Sequence, residues 1–100
     1  MAYQGGTLDQ TISAAAGDDP ALFAELKRAF AESVARQIDL LRRARCDGNW
    51  EVAARRLKGI AASFQAEDLI ALADEALDGA PGDPVVLRSL QRFLDGFTGG

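Results

Sequence analysis

Apolar residues recur at helical spacing along most of the chain, and three groups of turn-forming residues interrupt them. Leu8 and Ile12 mark a short first helix ending near Ala16, which Thr7 and Gln10 would open as a capping box. Residues 1–6 before it read as a flexible tail. Gly17-Asp18-Asp19-Pro20 is a stop and a restart: Asp18 or Asp19 can cap, and Pro20 suits a first helical position. Phe23, Leu26, Phe30, Val34, Ile38 and Leu41 then form the apolar stripe of a long second helix, expected to run to about Cys46. Asp47-Gly48-Asn49 reads as a tight turn, with Asn49 capping a third helix that begins at Trp50.

The stripe of that third helix is Leu57, Ile60, Ala61 and Phe64. No glycine or proline separates it from a further stripe of Leu69, Leu72, Ala73 and Ala76. One continuous helix and two helices broken near Gln65-Ala66 both satisfy the pattern. The break is favoured, because it folds the second stripe back onto the same core and puts Glu67 and Asp68 in a first turn, where acids suit the helix dipole. Gly79 to Pro84 is a loop, Asp83 caps, and Pro84 opens a last helix with Val86, Leu87, Leu90, Phe93, Leu94 and Phe97 inward. Gly99-Gly100 reads as a frayed end. Short connections favour antiparallel neighbours. The fold expected is therefore all-α: an up-down antiparallel four-helix bundle with a short extra N-terminal helix, one domain over residues 7–98.

Composition narrows the function more than the fold. A chain of 100 residues, 48% of them apolar, allows one domain with a modest core. No apolar run approaches the roughly 18 residues of a membrane span, and no signal peptide is visible. Cys46 is the one cysteine, so no intrachain disulfide forms and a reducing cytoplasm is the expected location. The net charge of −4 disfavours general affinity for nucleic acid or anionic membrane. The most decisive count is zero: the chain has no histidine. That removes histidine general-base catalysis, histidine metal ligation and phosphohistidine chemistry, and with one cysteine it leaves no zinc site. No other nucleophile has an activating neighbour in the pattern, so no enzyme activity, cofactor or small-molecule substrate is expected.

Charge is segregated. Arg42, Arg43, Arg45, Arg55, Arg56 and Lys58 cluster where the second and third helices meet, whereas Glu67, Asp68, Asp74, Glu75, Asp78 and Asp83 follow with no cation among them. If the third and fourth helices are antiparallel, Lys58 lies near Asp74 and Arg55 near Asp78. Two readings stay open: ion pairs within the bundle, and a bipolar surface that orients a partner. Arg55, Lys58, Gly59 and Ala62 fall at spacings that share one helix face. Gly59 in mid-helix costs about 1 kcal/mol relative to alanine. Either close packing against a neighbouring helix or the close approach of a partner accounts for it. Arg55 reads as a solvated helix cation or as an anion hook, Trp50 as a core or rim anchor at the end of the bundle, and Cys46 as structural.

Leu57-Lys58-Gly59, followed by Ala61 and Ala62, stands in the third helix after an acidic-proline helix start, a long second helix and Gly48-Asn49-Trp50. In these features residues 17–97 resemble the histidine-containing phosphotransfer (HPt) domain of bacterial two-component phosphorelays. That family carries a motif of the form His-x-Leu-Lys-Gly and a second glycine beyond it. Arg55 stands where the resemblance places the phospho-accepting histidine, Gln65 stands near the second glycine, and the segment from Trp50 to Arg55 looks about one turn short. A guanidinium stays protonated and offers no lone pair at neutral pH. Arg55 can therefore hold an anion in a fork but cannot relay a phosphoryl group. The resemblance implies a non-catalytic signalling protein that binds a receiver domain or a histidine kinase without carrying phosphate. The docking surface would be Arg55, Lys58, Gly59, Ala62 and Gln65. The alternative is a structural or self-associating helical bundle with no phosphorelay role.

Overall fold

The computed structural model describes residues 6–98. It is all-helical, with α1 (Gly6–Ala16), α2 (Pro20–Arg43), α3 (Asp47–Ser63), α4 (Glu67–Asp78) and α5 (Pro84–Thr98). The tail expected before residue 7 lies outside the described residues apart from Gly6, where α1 begins. The Gly99-Gly100 end and the side chain of Thr7, and with it the expected capping box, also lie outside them. Among the described residues no helix is long and apolar enough to cross a membrane.

The helix starts follow their local chemistry in two places. Asp19 caps α2, its carboxylate accepting from the Ala21 and Leu22 amides at 3.0 and 3.1 Å, with Pro20 in the first helical position. Asp83 accepts from the Val85 amide at 3.0 Å ahead of α5.

The α2–α3 junction departs from expectation. α2 stops at Arg43, and Ala44 is already extended. α3 begins at Asp47, with Cys46 rather than Asn49 in the capping position and no side-chain cap bond. Asn49 sits inside the first turn. The reason is Trp50. Its amide closes a helical bond to the Cys46 carbonyl at 3.1 Å. Its ring is 2% exposed, and its indole Nε1 donates to the Ala76 carbonyl at 2.7 Å. Seating Trp50 in the core requires α3 to be wound before Trp50 is reached, and burial of so large an apolar ring outweighs Asn49's modest preference for capping.

The break near Gln65-Ala66 is present. It is a Schellman turn: the Ala66 amide bonds the Ala61 carbonyl at 2.8 Å and the Gln65 amide bonds the Ala62 carbonyl at 3.1 Å. Gln65 adopts φ 54°, the left-handed conformation usually given to glycine. Ala61 and Ala66 are both buried beneath the turn. Glu67 and Asp68 occupy the first turn of α4 as expected.

The core is built from the expected stripes. Leu8 and Ile12 dock α1, and Phe30, Val34, Ile38, Leu41, Leu57, Leu69, Ala73, Val86, Leu90 and Phe97 are buried with them. Phe30 is the point where three helices meet, with ring centroids 4.7 Å from Phe64, which caps the end of α3, and 5.3 Å from Phe97 of α5. Around this core α2 packs on α3, α3 on α4, α4 on α5 and α5 on α2, while among the described residues α1 packs on α2 alone.

Two substitutions test these junctions by urea unfolding. Gln65→Gly is expected to stabilise the fold by about 0.5–1 kcal/mol, by relieving the left-handed strain. Trp50→Phe is expected to destabilise it by about 1 kcal/mol, by deleting the bond to Ala76 while keeping an aromatic ring.

Candidate docking face

The outward side of α3 gathers four of the five residues singled out above. Arg55, Lys58, Gly59 and Ala62 are all exposed. Gln65 is exposed as well, but its positive φ takes it out of helical phase, so it belongs to the turn at the end of α3 rather than to this face. The buried side of the same helix, Trp50, Ala53, Ala54, Leu57 and Ala61, fixes the outward direction by packing against the core.

The cations on this face have partners within the chain. Lys58 bridges to Asp74 of α4 at 2.7 Å, as the antiparallel pairing requires. Arg55 is not paired with Asp78. It pairs with Glu51 one turn earlier on its own helix, at 2.9 Å. The glutamate stands four residues N-terminal to the arginine, the favoured orientation for such a pair, and no rearrangement between helices is needed. Both bridges are solvent-exposed, with side chains 46–69% accessible, so each stabilises the fold by about 0–1 kcal/mol. Arg56 is exposed and has no ion-pair partner among the described residues.

Gly59 resolves one of the open alternatives. A Cβ built on it would meet nothing within 4 Å. Close packing against a neighbouring helix therefore does not account for this glycine. Its carbonyl accepts a bond from the Ser63 hydroxyl at 3.0 Å, one turn on.

Val52 was not singled out from the sequence. It is 48% exposed, and it lies three residues before Arg55 and seven before Gly59, so it shares their face. Its spacing relative to Gly59 was the available signal. Cys46 is exposed at the start of α3. Among the described residues no group of three or more acidic or cysteine side chains is arranged to hold a metal ion.

The fold and the site together define an all-helical protein with an exposed, charge-bearing helix face. Compared with protein-family models, with curated proteins and with solved structures, the chain matches none.

Because its surroundings are open, Gly59→Ala is expected to raise stability by about 1 kcal/mol, the helix-propensity difference alone. Thermal unfolding followed by circular dichroism measures it; destabilisation would reveal a packing constraint on this position.

Proposed function

We propose that the chain is an HPt-like signalling protein of a bacterial two-component or phosphorelay system, which binds a receiver domain or a histidine kinase through the outward face of α3 and carries no phosphate. The observation that carries this reading is Gly59. It occupies mid-helix at an energetic cost, it is exposed, and none of the described residues fills the space above it. Approach by another protein is the remaining account of it. Arg55 and Lys58 flank it and supply charge, and Val52 supplies apolar area.

The scaffold belonging to this reading is the up-down antiparallel four-helix bundle with α1 added. The closed circuit of contacts from α2 through α5 supports it, as do the cross-helix pairs Lys58–Asp74, Phe30–Phe64 and Phe30–Phe97. The absence of phosphate transfer follows from chemistry. The chain has no histidine, and the Arg55 guanidinium cannot act as a phosphoryl acceptor. What Arg55 can do is face a carboxylate-rich active site as a cation, in place of a phosphate donor. The lone Cys46 accords with a reducing cytoplasm. Neither nucleic acid, membrane, metal nor small-molecule substrate has a role in this reading.

One observation favours the alternative of a bundle with no relay role: Glu51 and Asp74 already pair with Arg55 and Lys58, as they would on a merely solvated surface. Titration calorimetry against candidate receivers and kinases separates the two. The expected result is a 1:1 complex with at least one of them, lost in Gly59→Arg, with no label appearing on the chain when a labelled phospho-receiver is added. Absence of any complex, or a complex that Gly59→Arg leaves unchanged, would sink the docking reading.

A further inference from the structure

The outward faces of α3 and α4 form one two-helix surface of opposite charges. On α3, Val52, Arg55, Gly59 and Ala62 recur at spacings of three and four and are exposed. On α4, Glu67, Ala71, Glu75 and Asp78 do the same. The carboxylates of Glu67, Glu75 and Asp78 have no ion-pair partner among the described residues. The register between the two helices is fixed by two contacts, Trp50 to the Ala76 carbonyl at 2.7 Å and Lys58 to Asp74 at 2.7 Å. Arg55 lies between those rungs on α3, as Glu75 does on α4, with Asp78 one turn beyond Glu75, yet Arg55 pairs within α3.

We infer that this surface takes a second copy of the same chain, forming a two-fold symmetric dimer. A two-fold axis parallel to the helices and running between α3 and α4 lays α3 of each copy over α4 of the other. Levels along the helices are preserved by that operation. Arg55 of one copy then meets Glu75 and Asp78 of the second copy, and the reverse contact forms at the same time, as an isologous interface requires. Gly59 and Ala62 come level with Ala71 of the second copy, so no bulky side chain keeps the helices apart. Lys58–Asp74 sits at the middle seam in both copies. Charge complementarity selects this occupant: the cationic strip and the anionic strip that match each other lie side by side on one molecule. Two-fold rotation is the operation that superposes each on the other.

The dimer stands on this geometry alone. Its regulatory consequence rests on the proposed docking function: self-association covers Arg55 and Gly59, so a receiver or kinase competes with the second copy for the same face.

Sedimentation equilibrium of the purified chain from about 5 to about 500 µM spans the affinities that weak dimers show. The expected result is a monomer–dimer equilibrium within that range. Arg55→Glu and Asp78→Arg are each expected to weaken the dimer at least tenfold, since each reversal acts in both symmetry-related halves of the interface. Arg55→Glu combined with Asp78→Arg restores the pairing with its signs exchanged, and is expected to recover most of the lost affinity. Circular dichroism of all three variants checks that the fold is retained. A chain that stays monomeric throughout, or a double variant no better than either single one, overturns the interface. A dimer whose strength is unaffected by either single reversal overturns it too, by placing self-association elsewhere. A dimer that forms while no receiver or kinase binds supports the interface and removes the regulatory role.

Discussion

The left-handed residue between α3 and α4 is the constraint on which the surface chemistry depends. Had residues 64–67 continued in helical conformation, α3 and α4 would form one rod, and Leu69, Ala73 and Ala76 would lose the core that now buries them. Gln65 at φ 54° reverses the chain in the space of one turn. The two amides that follow the end of α3 recover the carbonyls of Ala61 and Ala62, so the reversal leaves few backbone groups unsatisfied. A glutamine in that conformation carries a strain of about 1–2 kcal/mol. The burial of α4's apolar stripe offsets it, since fully burying a single leucine contributes about 1.5–3 kcal/mol.

The same reversal decides the electrostatics. Arg55 and Lys58 belong to a cationic stretch of chain, Asp74 and Asp78 to an anionic one. The hairpin sets these stretches side by side on one face, where Lys58 closes on Asp74. Such exposed bridges do little for stability. Their physical weight lies in orientation, because a surface with paired strips of opposite sign favours some approach geometries and repels others. Trp50 completes the hairpin from the other end. Its indole reaches one of the last carbonyls of α4, so the start of α3 and the end of α4 are tied together inside the core.

Gly59 and Arg55 give the outward face of α3 two different properties, room and charge. An imidazole at position 55 would offer a nucleophilic nitrogen; a guanidinium offers only donors. The guanidinium of Arg55 can bind a phosphate or a carboxylate. The glycine one turn later provides room, since a Cβ there would meet nothing within 4 Å.

The periodicity of the sequence by itself determined the apolar stripes that became the core, the helix starts at Pro20 and Pro84, and the shared face of Arg55, Lys58, Gly59 and Ala62. These are local properties, set by spacing along a helix and by the chemistry of single turns. Tertiary structure decided the rest. Burial of Trp50 moved the start of α3 back to Asp47, against Asn49's local preference. Arg55 chose Glu51 over Asp78 because side-chain reach on a folded surface, and not linear charge order, selects an ion-pair partner. The openness above Gly59 and the exposure of Val52 depend on which helices stand nearby, and no spacing rule reports that. Gln65 shows the division within one residue: the pattern allowed a break there as well as a continuous helix, and the packed hairpin is what puts a side-chain-bearing residue into a conformation that glycine adopts more readily.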